Sequence, residues 1–142
     1  MVCNIRSLSR HYNELLICLD KVHNSEPDII ILTETWLSAE QLELYSIKNY
    51  VSYIAERSDG TRSGGVVIFI REKIQHSHVT YSNEYFQAVS IEIKNKNSGH
   101  SVLKQTTKII GIYRYLRKSP KEFISELQNN ILKDTAEYLI LT

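Results

Sequence analysis

Pro27-Asp28-Ile29-Ile30-Ile31-Leu32-Thr33-Glu34-Thr35-Trp36-Leu37 decides the fold of this 142-residue chain. Four unbroken apolar residues, three of them β-branched, follow a Pro-Asp start and stop at Thr-Glu-Thr. A short apolar run with turn signals at its entrance predicts a strand buried on both faces, the central strand of an α/β sheet. Glu34 emerges just past its carboxyl end, the edge where ligands and catalytic groups collect in open α/β sheets. A carboxylate there needs water, a hydrogen-bond donor or a cation. Local pattern alone favours a plainer reading, a glutamate in a solvated turn.

Upstream, Val2-Cys3-Asn4-Ile5 reads as the tail of a strand whose start is missing. Tyr12, Leu15, Leu16, Leu19 and Val22 then recur at helical spacing and predict an amphipathic helix packed on a sheet. Asn24-Ser25-Glu26-Pro27 ends that helix, so strand, helix and central strand form one βαβ unit. Downstream, Ser38-Ala39-Glu40-Gln41 has the form of a capping box and predicts a short helix to about Tyr45. Tyr50 to Arg57 reads as a strand, and a glycine-rich turn ending in Gly64-Gly65 leads into Val66-Val67-Ile68-Phe69-Ile70, an antiparallel hairpin.

Further strands are expected at Val79 to Tyr81, Ala88 to Ile93 and Lys108 to Tyr113, with a turn at Asn95-Lys96-Asn97-Ser98-Gly99. Ser119-Pro120-Lys121-Glu122 is the strongest helix start, and Phe123, Ile124, Leu127 and Ile131 form the stripe behind it. Tyr138-Leu139-Ile140-Leu141 opens another buried strand at the chain end. No repeat, linker or low-complexity tract interrupts the pattern, so residues 1–142 read as one domain, cut at both ends.

Charge excludes little. Seventeen Lys+Arg against 16 Asp+Glu give no global attraction to a polyanion, so a nucleic-acid surface would have to be a local patch. Arg57, Arg62, Arg114, Arg117 and Lys118 are candidates for such a patch, although solvated surface charge is the commoner explanation. Cys3 and Cys18 have no metal-ligand spacing and read as small core residues in a reducing compartment. No run approaches a membrane span or a signal peptide, which suggests an intracellular protein. His76-Ser77-His78 places two imidazoles on one strand face, without a third ligand nearby for a metal.

Four segments together resemble the endonuclease/exonuclease/phosphatase superfamily, the DNase I and exonuclease III fold. They are Asn4-Ile5-Arg6-Ser7-Leu8, the Pro27–Leu37 stretch, Arg62-Ser63-Gly64-Gly65-Val66-Val67-Ile68-Phe69, and Ile110-Gly111-Ile112-Tyr113-Arg114. Their wording is most similar to the endonuclease domain of non-LTR (LINE-like) retrotransposons. The resemblance implies an α/β fold, a layered sandwich of two mixed β-sheets flanked by helices, here lacking its carboxyl-terminal half. It implies hydrolysis of phosphodiesters or phosphomonoesters with a divalent metal, Mg²⁺ or Mn²⁺. Glu34 would bind that metal and Asn4 would sit beside it, which suits the preference of Mg²⁺ for hard oxygen ligands. Tyr113 would donate to the scissile phosphate, where negative charge builds. Arg62 and Arg114 would touch the DNA backbone.

The family's Gly-Asp-x-Asn and Ser-Asp-His motifs do not occur in the chain. Metal, water activation and charge stabilisation act as a unit, so the chain alone is expected to be inactive. Tyr115-Leu116 replaces the prolines that retrotransposon relatives often carry after Tyr-Arg. The parent would be a nuclear, DNA-nicking element with a reverse transcriptase downstream. The alternatives are a non-catalytic remnant used for binding or assembly, and a phosphatase of the same superfamily.

Overall fold

A computed structural model describes residues 1–21, 26–56, 63–94, 106–115 and 117–132, and the backbone of 137–141. The sequence expectations for Val22, Arg57, Arg62 and the Asn95–Gly99 turn lie outside these residues. Among the described residues, eight strands and three helices run in the order β1 (Val2–Asn4), α1 (Leu8–Lys21), β2 (Ile29–Thr33), α2 (Ala39–Leu42), β3 (Tyr50–Ala55), β4 (Val66–Arg71), β5 (His76–Ser82), β6 (Phe86–Lys94), β7 (Thr106–Arg114), α3 (Pro120–Asn130) and β8 (Glu137–Leu141). They build two four-stranded sheets with strand orders β1-β2-β4-β3 and β5-β6-β7-β8.

Both sheets are mixed. β1 runs parallel to β2, with Asn4 opposite Thr33, and β4 is antiparallel to both β2 and β3. In the second sheet β5, β6 and β7 are antiparallel, and β8 joins β7 in parallel. The parallel pairs, β1–β2 and β7–β8, are consecutive strands joined through a helix, as the geometry of a crossover requires.

Strand alternation sorts the apolar residues into three cores. Ile30, Leu32, Val67 and Phe69 face outward from the first sheet and pack with Leu8, Leu15 and Leu42 of the helices α1 and α2. Ile31, Val66, Ile68 and Ile70 face inward against Val89 and Ile91 of the second sheet. Ala88, Ile110 and Ile112 face outward again, under Leu127 and Ile131 at α3. The layers are therefore helix, sheet, sheet, helix. Ile30 to Leu32 are at most 1 % exposed, so the expectation of a strand buried on both faces holds.

The two sheets meet closely at one point. A Cβ added to Gly111 of β7 would stand 2.7 Å from Ile31 Cγ2 and 3.1 Å from Val66 Cγ1. The absence of a side chain there lets β7 settle directly onto β2.

Three local expectations are corrected. Cys3 and Cys18 are free but exposed: Cys3 lies on the edge strand β1, and Cys18 falls off the stripe of Leu8, Tyr12, Leu15 and Leu19 that α1 turns inward. Leu16 and Ile124, assigned to buried stripes, stay 36 % and 48 % exposed because each sits at the margin of its helix's contact arc. Ser119 makes no side-chain cap; its carbonyl accepts from the Phe123 N–H at 3.0 Å, and Pro120 supplies the pre-set φ of the first turn. By contrast, the capping box at Ser38 and Gln41 forms in both directions.

Candidate active site

At the carboxyl ends of β1 and β2 the backbone leaves the sheets under unusual torsion. Glu34 and Trp36 have φ of 58°, Arg6 and Ser7 have 45° and 89°, and Gly64 and Gly65 have 93° and 90°. Left-handed torsions on residues that carry a Cβ persist only where the surroundings fix them, and they gather at functional sites. Here the fixing is visible. The Ser7 N–H donates to Glu34 O at 2.8 Å, the Leu8 N–H to Thr35 O at 2.9 Å, and the Trp36 N–H to Gly64 O at 3.0 Å. Three chain segments are thereby laced together beyond the sheet edge.

Gly65 is demanded twice over. Its φ suits glycine, and a Cβ there would lie 2.4 Å from Thr35 Oγ1.

This lacing presents the Glu34 carboxylate, half-buried, at the centre. The Trp36 indole Nε1–H donates to Oε2 at 2.6 Å, and the Gly64 N–H reaches the same oxygen at 3.4 Å. The Tyr113 hydroxyl, arriving from β7 of the other sheet, donates to the carboxylate as well. Burial pushes the Glu34 pKa up, but the hydrogen bonds from Tyr113, Trp36 and Gly64, with the Arg6 charge nearby, outweigh it and hold the pKa below the ordinary value. Glu34 is an ionised carboxylate at neutral pH.

Of the residues singled out from sequence, the structure brings Glu34 and Tyr113 together from two different sheets. Asn4 lies on the neighbouring strand end, paired in register with Thr33 and exposed; among the described residues its amide has no hydrogen-bond partner. Arg114 is placed elsewhere. Strand alternation sends it to the opposite face of the second sheet from Tyr113, where its guanidinium lies 5.8 Å from the centre of the Phe123 ring. His76 and His78 flank Tyr53 instead of a ligand site: Tyr53 Oη lies 2.9 Å from His76 Nε2, and His78 stacks on its ring.

Sequence reasoning missed four participants: Arg6, Trp36, Gly64 and Gln87. Arg6, exposed beside Glu34, is the described cation that the carboxylate feels. Trp36 and Gly64 lay inside quoted motifs, and their donor groups could have been suspected from the need of a half-buried carboxylate for partners. Gln87 had no local signal. It is fully buried in β6, paired in register with Tyr113, and its Oε1 accepts from the Gly65 N–H at 2.8 Å.

The site offers a cation one ionised carboxylate, Glu34, with Asn4 on the adjoining strand end. Among the described residues no group of three His, Cys, Asp or Glu gathers. A carboxylate oxygen is a hard ligand of the kind that a divalent cation takes. Among the described residues no helix is long and apolar enough to cross a membrane.

Comparison with known proteins agrees with this architecture. A model described as the Endonuclease/Exonuclease/phosphatase family matches residues 1–106. The catalytic domain of Xenopus laevis APE2 superposes with a TM-score of 0.63 at 18 % identity, covering 99 % of this chain and 56 % of that one. The AP endonuclease LMAP from Leishmania major superposes with a TM-score of 0.55 at 9 % identity, over 92 % of this chain and 44 % of that one. At such identities the likeness is one of fold, and this chain spans about half the length of both solved chains. Comparison with curated proteins finds no match.

Proposed function

Because this chain belongs to the endonuclease/exonuclease/phosphatase family, we propose that it is part of a metal-dependent DNA endonuclease domain, the wording of residues 4–8 and 34–37 favouring a LINE-type retrotransposon parent with a reverse transcriptase. The observation that carries this reading is the ionised Glu34 at the carboxyl edge of β2, met there by the Tyr113 hydroxyl from the opposite sheet. Glu34 and Asn4 would hold Mg²⁺ or Mn²⁺, which when bound would polarise a phosphate oxygen.

The chain's own residues set the rest. Trp36 and Gly64 fix Oε2 and leave the carboxylate little rotational freedom, so its charge is aimed before any ligand arrives. Tyr113 has a single phenolic proton. It is directed at Glu34 here, so the hydroxyl would have to turn to a phosphate oxygen once substrate is bound. Arg6, next to the site, is better placed than Arg114 to meet a DNA phosphate.

Activation of water needs groups that the Gly-Asp-x-Asn and Ser-Asp-His motifs supply in the family, so this chain alone is proposed to be inactive. A supercoiled-plasmid nicking assay in Mg²⁺ tests it. The expected result is no nicking above a protein-free control. Nicking that disappears in Glu34→Ala would instead establish an active nuclease and overturn the proposed inactivity.

A further inference from the structure

The buried amide at Gln87 plays no part in the reading above, yet it touches the machinery from behind. Gln87, Val89 and Ile91 share the inward face of β6, and Gln87 lies opposite Tyr113 of β7. One register pair of the second sheet thus sends two polar side chains toward the same corner of the first sheet. Tyr113 reaches Glu34 directly, whereas Gln87 reaches the Gly65 N–H at 2.8 Å. Gly64, the residue before, donates to Glu34 Oε2.

We propose that Gln87 is a positioning residue, its side-chain oxygen holding the Gly64-Gly65 turn so that the Gly64 N–H stays against the Glu34 carboxylate. The amide orientation is fixed by chemistry, because a backbone N–H can be answered only by the oxygen. That leaves Nε2 buried without a hydrogen-bond partner among the described residues, as is Thr35 Oγ1 on the other side of the turn. An apolar side chain of similar size would avoid that penalty in a core, so a glutamine is explained by what its oxygen does. The Gly64 and Gly65 carbonyls are committed to Trp36 and Thr35, and the Gly65 N–H is the group of this turn that meets Gln87 of the second sheet.

This inference rests on the reading of Glu34 as a metal ligand only for its consequence, weaker metal binding. Its geometric content is tested separately by ¹H–¹⁵N spectra of the whole chain. Gln87→Met removes the acceptor at nearly constant volume, and Gln87→Asn withdraws it by one methylene. Both are expected to move the Gly64 and Gly65 amide signals upfield and to speed Gly65 hydrogen exchange at least tenfold. The Trp36 indole signal, whose hydrogen bond is to Glu34 and not to the turn itself, should shift less than the Gly64 and Gly65 amides. Gln87→Glu keeps an acceptor oxygen and should restore the slow exchange of Gly65.

In Mg²⁺ titrations the Met and Asn variants should bind about tenfold more weakly than wild type, the lower end of the range for groups that orient metal ligands. Unchanged Gly64 and Gly65 signals in either folded variant, or faster Gly65 exchange in Gln87→Glu than in Gln87→Met, would overturn the proposal. Wild-type protein that binds no Mg²⁺ but shows the spectral changes would sink the metal reading and leave the role of Gln87 standing.

Discussion

Gly111→Ala puts the closest approach of the two sheets to the test. The new methyl carbon would stand 2.7 Å from Ile31 Cγ2, 3.1 Å from Val66 Cγ1 and 3.4 Å from Ile68 Cδ1. Carbon atoms settle at about 3.5–4.0 Å, so the Ile31 contact alone asks the sheets to part by roughly 1 Å. Overpacking of that kind costs about 1–3 kcal/mol. Removing glycine's freedom in the unfolded chain returns about 0.4–1 kcal/mol, and the net expected loss is about 1–2 kcal/mol. In urea this lowers the unfolding midpoint by about 0.5–1 M at an unchanged slope.

The local consequence is sharper than the global one. Tyr113 stands two residues along the same face of β7, so parting the sheets draws its hydroxyl away from Glu34. Ile31→Ala deletes the methyl that the new carbon meets. In a double-mutant cycle the pair should therefore be at least about 1 kcal/mol less destabilised than the sum of the singles. Additivity within about 0.5 kcal/mol, or a stabilised Gly111→Ala, would refute the idea that this glycine sets the gap.

Four further outcomes follow from the site. Gly65→Ala combines a left-handed φ of 90° with a contact of 2.4 Å to Thr35 Oγ1, and should lose more than about 2 kcal/mol in urea unfolding, more than Gly111→Ala. Tyr113→Phe removes one donor to Glu34, and fluorescence of the sole tryptophan followed against pH should show the carboxylate titrating higher than in wild type. The Glu34 pKa is depressed by folding, so its stabilisation is fully present above the unfolded carboxylate value and fades as pH falls through the folded one. The stability difference between wild type and Glu34→Gln, measured by urea unfolding at stepped pH, should accordingly shrink on acidification and never grow. Arg6→Ala, which takes away a nearby positive charge, should raise the Glu34 titration midpoint, and less so in high salt.

The legible parts of this fold are those encoded locally. Ile29–Leu32 announced a buried strand because continuous β-branched runs have few other uses. The capping box at Ser38 could be read because donor and acceptor lie three residues apart in sequence. Glu34 stood out by its place at a strand end, whereas its metal role and the choice of Tyr113 came from a resemblance, and the two could not have been paired from periodicity, since they come from different sheets.

What escaped was contact at long range. Cys3 looked like a core residue because its neighbours are apolar, but exposure is decided by β1 lying at a sheet edge. Arg114 adjoins Tyr113 in sequence, and for that reason strand alternation places it on the far face, over Phe123. Ser119 has the right residue type for a cap and the wrong side-chain contact. Gln87 is ordinary in its own strand, and only the turn that it meets 22 residues upstream gives it meaning.

Trp36 offers the most direct test of the central claim, that Glu34 is a carboxylate aimed to hold a divalent metal. It is the only tryptophan of the chain, and its indole donates to Glu34 Oε2 at 2.6 Å. Titration with Mn²⁺, a paramagnetic quencher, should give saturable loss of Trp36 fluorescence that excess Mg²⁺ reverses. Glu34→Gln, with its tryptophan intact, should abolish the saturation. Equal, saturable quenching in both proteins would contradict the claim.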